Sequence, residues 1–206
     1  DVRVRQAIAY AIDRKAMVDN LVRGASRVMN ALCFVDQFGC TDQGVPRYAY
    51  DPAKAKALLK EAGYEKGFEI DLGAYRERDY AEAVIGYLGA VGIKVRLNYL
   101  RYAAFRDSLR AGKVSIGYQT WGSFSVLDVS AFDGVYFRGG EEDLTRDPQV
   151  IADLQKGDSS TDPETRKAAY AKALQRIAAE AYALPMFSYS TNYAFTSDLN
   201  FTAQPD

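Results

Sequence analysis

The stretch from Phe68 to Trp121, FEIDLGAYRERDYAEAVIGYLGAVGIKVRLNYLRYAAFRDSLRAGKVSIGYQTW, decides how this chain folds. Three short runs read as strands: FEIDLGAY (68–75), IKVRLNYL (93–100) and KVSIGYQTW (113–121). Between them lie two runs with helical spacing, AEAVIGYLGAVG (81–92) and YAAFRDSLRAG (102–112), ended by Gly92 and Gly112. Strands that alternate with helices of about a dozen residues predict β-α-β units and a parallel sheet, because each helix returns the chain to the same edge. The fold class is therefore α/β. Ligands of such open sheets sit outside the carboxyl ends of the strands, where loops and helix starts converge.

The third strand runs into QTWGSFSVLD (119–128), small polar residues around aromatics. Trp121 offers a stacking face, Ser123 and Ser125 offer hydroxyls, and Gly122 lets a backbone approach closely. The competing reading is that Trp121 and Phe124 plug the edge of the core.

Outward from this unit the pattern is mostly helical. Val4, Ile8, Ala11, Ile12, Val18, Leu21 and Val22 recur at helical spacing, so one helix is expected up to Gly24. Residues 24–50 have no sustained period and are read as a long excursion. YDPAKAKALLKEAGY (50–64) carries both of its ends: Asp51 as cap, Pro52 in the first turn, Gly63 at the stop. DPQVIADLQKG (147–157) predicts a short helix. The longest one is expected from a capping box at Thr161 and Glu164 up to Pro185, with Tyr170, Ala173, Leu174, Ile177, Ala178 and Ala181 as its core stripe. MFSYSTNYAFTSD (186–198) reads as one or two edge strands.

Composition narrows the function. The chain has 206 residues, with 26 basic against 27 acidic, a balance that argues against nucleic acid or an anionic membrane as partner. It has no histidine, which removes Ser-His and Cys-His catalysis and His-ligated metal sites. Cys33 and Cys40 are too few for a structural zinc site; they form a local disulfide or stay as two thiols. The first residues already lie in a helical pattern, so the chain is expected to be a piece of a longer polypeptide.

Four separated motifs then carry a family resemblance. DVRVRQAIAYAIDRKAMV (1–18), YDPAKAKALLKEAGY (50–64), VGIKVRLNYLRYAAFRDSLRAGKVSIGYQTWG (91–122) and TDPETRKAAYAKALQRIAAEAYALPMF (161–187) occur in order across the chain. Together they resemble the second lobe of the family 5 extracellular solute-binding proteins, the oligopeptide- and dipeptide-binding type that serves ABC importers. The resemblance implies a periplasmic-binding-protein-like (type II) lobe over residues 1–184, with 185–206 starting the crossover back to a first lobe that this chain lacks. It implies a monomeric receptor, periplasmic or lipid-anchored, that binds a peptide or other small organic solute and hands it to an ABC permease. No catalysis and no cofactor are implied, and an exported location fits a Cys33–Cys40 disulfide.

One position departs from the family pattern. The third residue after this Trp is commonly an Asp that pairs with a peptide's free ammonium group, and here it is Phe124. An aromatic ring replaces such an ion pair only in part. That turns the expectation toward a sugar, an opine-like compound or a modified peptide. Asp128 either takes over the charge or matches a later Asp that leads into the next helix.

Further contact residues are expected in GASRVMNALCF (24–34), at Arg27, Met29 and Asn30, and in GVYFRGG (134–140), at Tyr136 and Arg138. The acid-rich GGEEDLTRD (139–147) lacks calcium-loop spacing and reads as a solvated turn. DRKAMVDN (13–20) and RERDYAE (76–82) read as solvated helix faces. The alternatives to a transport receptor are a sugar or peptide hydrolase, for which Asp128 and Asp133 would be the carboxylates, and a peptide-sensing receptor without transport.

Overall fold

The computed structural model describes residues 1–22, 24–122, 126–190 and 193–202. Its centre is the predicted parallel sheet. Strand β1 (Phe68–Ala74) lies between β2 (Ile93–Tyr99) and β3 (Ile116–Tyr118), parallel to both. Helices α4 (Arg78–Ala90) and α5 (Tyr102–Arg110) are the two crossovers. Gly92 and Gly112 follow α4 and α5 at φ 94° and 64°, the left-handed region that ends a helix cheaply only with glycine. β3 is shorter than the expected 113–121. Its ladder stops at the Ala74–Tyr118 pair because β1 itself ends there.

Two apolar cores build the rest. One joins the sheet and α4 to α1 (Val2–Ala11), α2 (Arg14–Asn20) and α3 (Pro52–Glu61), around Met17, Leu59, Leu72, Leu88 and Ile93. The other joins the 31–45 excursion to α6 (Ser130–Tyr136), α7 (Pro148–Ser159) and α8 (Pro163–Ala179), around Val129, Val150, Leu154, Tyr170 and Leu174. The two are tied by the Tyr48 hydroxyl donating to the Ala178 carbonyl (2.7 Å) and by Arg5 Nε donating to that of Glu180 (2.7 Å).

Several boundaries differ from the sequence reading, each for a local reason. The expected first helix is two helices. Ile12 is extended (ψ 117°), and Asp13 starts afresh by accepting a hydrogen bond from the Ala16 amide (2.8 Å). Arg14, in a segment expected to be solvated, is 7% exposed. Its guanidinium donates to the carbonyls of Met29 (2.6 Å), Pro185 (2.6 Å) and Tyr48 (3.1 Å). α8 is capped by Asp162 and not by Thr161, since Pro163 occupies the first turn and the residue before it becomes the cap. α8 also stops at Ala179, short of Pro185. Ala181 turns left-handed (φ 48°), and the Tyr182 amide donates back to the Ile177 carbonyl (3.0 Å), the bonding of a Schellman stop. In place of edge strands over 186–198, the described residues show one antiparallel bridge, Val28 with Phe187.

Cys33 and Cys40 are disulfide-bonded, with Cα atoms 5.6 Å apart. The bridge closes a short loop, so chain-entropy reasoning gives about 2 kcal/mol of stabilisation. A Cys33→Ala, Cys40→Ala double variant is expected to show a lower urea midpoint with an unchanged slope. An equal midpoint would mean that the Phe38–Val129 backbone bonds alone hold this excursion.

Candidate functional site

The carboxyl ends of the three strands carry an aromatic wall. β1 is followed by Tyr75, β2 ends in Tyr99 and β3 ends in Tyr118. The Tyr75 ring lies 5.0 Å from Tyr102 and 5.1 Å from Phe105, both on α5. Its hydroxyl shares a 3.0 Å hydrogen bond with Thr120 Oγ1, just beyond β3. Trp121, half-buried, meets Phe132 (5.5 Å) and Tyr136 (5.4 Å) of α6 edge-on. The Tyr136 hydroxyl reaches Gln119 Oε1 at 3.5 Å. Burial, then its neighbours Tyr102 and Glu142, push that hydroxyl up to about 12, so it stays a neutral donor at any physiological pH.

The expected contact residues divide. Trp121, Gly122 and Tyr136 stand together at this wall. Ser123, Phe124 and Ser125 lie outside the described residues. Asp128 is engaged: Oδ1 accepts from the Ser130 amide (3.0 Å) and Oδ2 from Arg166 (2.7 Å). That geometry leads into α6 and ties it to α8. Arg138 is ion-paired with Asp158 of α7, its guanidinium folded back over Gly134. Met29 and Asn30 lie where 27–30 crosses 185–188: the Met29 amide donates to the Met186 carbonyl (3.4 Å) and the Ser188 amide to that of Arg27 (2.9 Å).

The acid-rich turn is consumed internally. Glu142 clamps Arg106 and Arg110, and Asp143 accepts from the Gly139, Thr145 and Arg146 amides. Among the described residues no group of three acidic, Cys or His side chains could hold a metal ion.

Sequence reasoning missed Tyr75, Tyr102, Gln119 and Thr120 as parts of this wall. For Tyr75 the available signal was positional, a tyrosine at the carboxyl end of the first strand in GAYR; Tyr102, Gln119 and Thr120 carry no such mark.

Comparison with known proteins agrees with this architecture. The model of the bacterial extracellular solute-binding proteins, family 5 (middle), matches residues 1–143, and the chain belongs to that family, which is made of binding proteins and not of enzymes. The dipeptide-binding protein of Escherichia coli is 36% identical over 121 residues, 55% of this chain and 22% of its own length. The glutathione-binding protein GsiB of Salmonella paratyphi A is 26% identical over 223 aligned positions, covering 99% of this chain and 43% of that protein. Among solved structures, HbpA2 from Haemophilus parasuis superposes with a TM-score of 0.83 at 27% identity, covering 91% of this chain and 39% of that one. The fold is that of a periplasmic binding protein, and the chain spans less than half the length of these relatives.

Proposed function

We propose that residues 1–184 form the second lobe of an extracytoplasmic receptor that traps a peptide or other small organic solute for an ABC permease. Residues 185–206 lead back toward the first lobe. The observation that carries this reading is the wall of Tyr75, Tyr102, Thr120, Trp121 and Tyr136 at the carboxyl ends of the strands. A wall rich in rings and hydroxyls binds by stacking and hydrogen bonds, and the first lobe closing over it removes water from both. Hinge closure is the mechanism, and the closed, monomeric form is what the permease meets. No bond is made or broken, and no cofactor or nucleic acid takes part. A periplasmic or lipid-anchored location is supported by the Cys33–Cys40 disulfide. Among the described residues no helix is long and apolar enough to cross a membrane.

The placement of its two carboxylates counts against the hydrolase alternative. Asp133 is 0% exposed and cannot touch a substrate, while Asp128 is held by Arg166 and Ser130. Sensing without transport differs from import only in the membrane partner, so a companion permease and ATPase favour import. The test is native mass spectrometry on the full-length protein, purified without refolding. A bound peptide ladder or a single small-solute mass supports the receptor, and the mass names the ligand class. A protein that carries no ligand, and takes up none from a peptide and opine panel, would end this reading.

A further inference from the structure

Glu77 sits where the segment RERDYAE was expected to be plain solvated surface. It follows β1 at the ligand end of the sheet and is the residue before α4. Its backbone is left-handed (φ 42°, ψ 65°), a conformation that costs an L-residue energy and that glycine or asparagine adopts more easily. The strain has no return inside α4, because the Glu77 side chain makes no capping hydrogen bond. Its carboxylate is also poorly served. Oε2 is buried with no hydrogen-bond partner, and the nearest cation to Oε1 is Arg76 Nε at 3.7 Å, beyond hydrogen-bond length. Arg76 reaches instead toward Thr120 Oγ1 at 3.4 Å.

Tyr118 and Tyr189 lie near enough to this carboxylate to feel its charge. Tyr80 stacks on Tyr189 (6.4 Å, 22° between planes), and both meet Phe187 edge-on. Burial, then Tyr189 and the charge of Glu77, push the Tyr118 hydroxyl up. Burial, then the charge of Glu77, do the same to Tyr189. Both phenols therefore stay neutral and bring no positive charge to the carboxylate. A carboxylate with one buried, unpartnered oxygen beside tyrosines suits one ligand chemistry. An organic ammonium donates its N–H groups to the carboxylate and lays its adjoining carbons on the rings.

We propose that Glu77 is the anionic residue with which this lobe engages the ammonium group of an amino-acid- or peptide-type ligand. It supplies from the end of β1 the charge that Phe124 does not supply beyond β3. The proposal rests on the receptor reading above and narrows its ligand class.

The test uses the full-length protein, calorimetric titration, and two probes: an alanyl dipeptide with a free amino group and its N-acetyl derivative. Glu77→Gln is expected to weaken binding of the free dipeptide tenfold or more and to leave the acetylated one within twofold. Glu77→Gly, which relieves the left-handed strain, is expected to melt at a higher temperature than the parent while losing the same affinity. A parent protein that binds the free dipeptide, with a Gln variant that binds it equally well, overturns the role of Glu77 and leaves the receptor standing. So does a parent that binds only the acetylated probe. A Gly variant that melts lower than the parent would make Glu77 structural. A parent that binds neither probe and releases no small molecule in native mass spectrometry overturns the receptor reading itself.

Discussion

Replacing Asp147 by alanine is expected to lower the unfolding free energy by about 3 kcal/mol at neutral pH. Asp147 is 4% exposed and accepts five hydrogen bonds across three segments. The Gln149 and Val150 amides (2.9 and 3.2 Å) are the capping bonds of α7. Arg176 Nε, in the last turn of α8, donates to both carboxylate oxygens (3.0 and 2.9 Å) with its Nη2 ion-paired at 2.8 Å, and the Tyr182 hydroxyl donates at 2.8 Å from just beyond it. The alanine variant loses the cap, typically about 1 kcal/mol for the two amides left without an acceptor, and also strands the Tyr182 phenol, about 2 kcal/mol. The Arg176 side chain is 42% exposed and stays solvated, so the charge attraction itself adds little. Asparagine keeps the cap and is expected to recover about half of the loss.

The same contacts fix the sign of a pH effect. Hydrogen bonds from Arg176, then Tyr182 and the two amides, outweigh burial and hold the Asp147 carboxyl well below the usual carboxylate range. The unfolded chain takes up its proton near pH 4, while the folded chain does so only at lower pH. The stabilisation is therefore complete above pH 4 and is lost as the pH falls below it. Urea unfolding at pH 7 and pH 3 checks this: the gap between parent and Asp147→Ala should narrow in acid. An alanine variant within 0.5 kcal/mol of the parent, on the order of an ordinary surface change, would mean that the α7–α8 junction rests on its apolar contacts alone.

What could be read from the sequence was what local chemistry writes down. Asp51–Pro52 and Gly63 mark both ends of α3, and the glycines after α4 and α5 stand where the chain reverses. The apolar period of β1, β2 and their crossovers was enough for a parallel sheet. The failures share a cause: a charged residue read by its neighbours in sequence was placed by partners far along the chain. Arg14 looked solvated beside Asp13 and Lys15, yet its acceptors lie 15, 34 and 171 positions away. Glu77 looked solvated between Arg76 and Arg78, yet its surroundings include Tyr118 and Tyr189. Asp13 was counted within a helix because spacing cannot tell an interior Asp from a cap. The site followed the same rule. Trp121 and Tyr136 were legible as aromatics near a strand end, while Tyr75 and Thr120 meet only because β1 and β3 pair in one register.

The opposite pH effect is expected from Asp133. It is 0% exposed, it sits on α6 in the core with Val129, Phe137 and Tyr170, and neither carboxyl oxygen has a hydrogen-bond partner. Burial, then the charge of Asp158, push its pKa well above the usual range, while Arg138 is spent on Asp158. The folded protein therefore keeps the proton that the unfolded chain releases near pH 4. Its contribution is fully present below pH 4 and is lost as the pH rises toward the folded pKa, at up to about 1.4 kcal/mol per pH unit. Asp133→Asn cannot ionise. It is expected to match the parent near pH 4 and to exceed it at pH 7, by a margin that grows with pH. Asp133→Leu, which has no amide left to satisfy, should show the same loss of slope. The readout can be local as well as global. Phe132 and Tyr136 on α6 hold Trp121, the one tryptophan of the chain, so α6 loosening at high pH should shift Trp121 emission in the parent and not in the Asn variant. Parallel stability–pH curves for parent and Asn variant between pH 5 and 8 would sink the idea. They would require a counter-charge to reach Asp133 in solution, and protonation of Asp133 would then have no part in how α6 holds the aromatic wall.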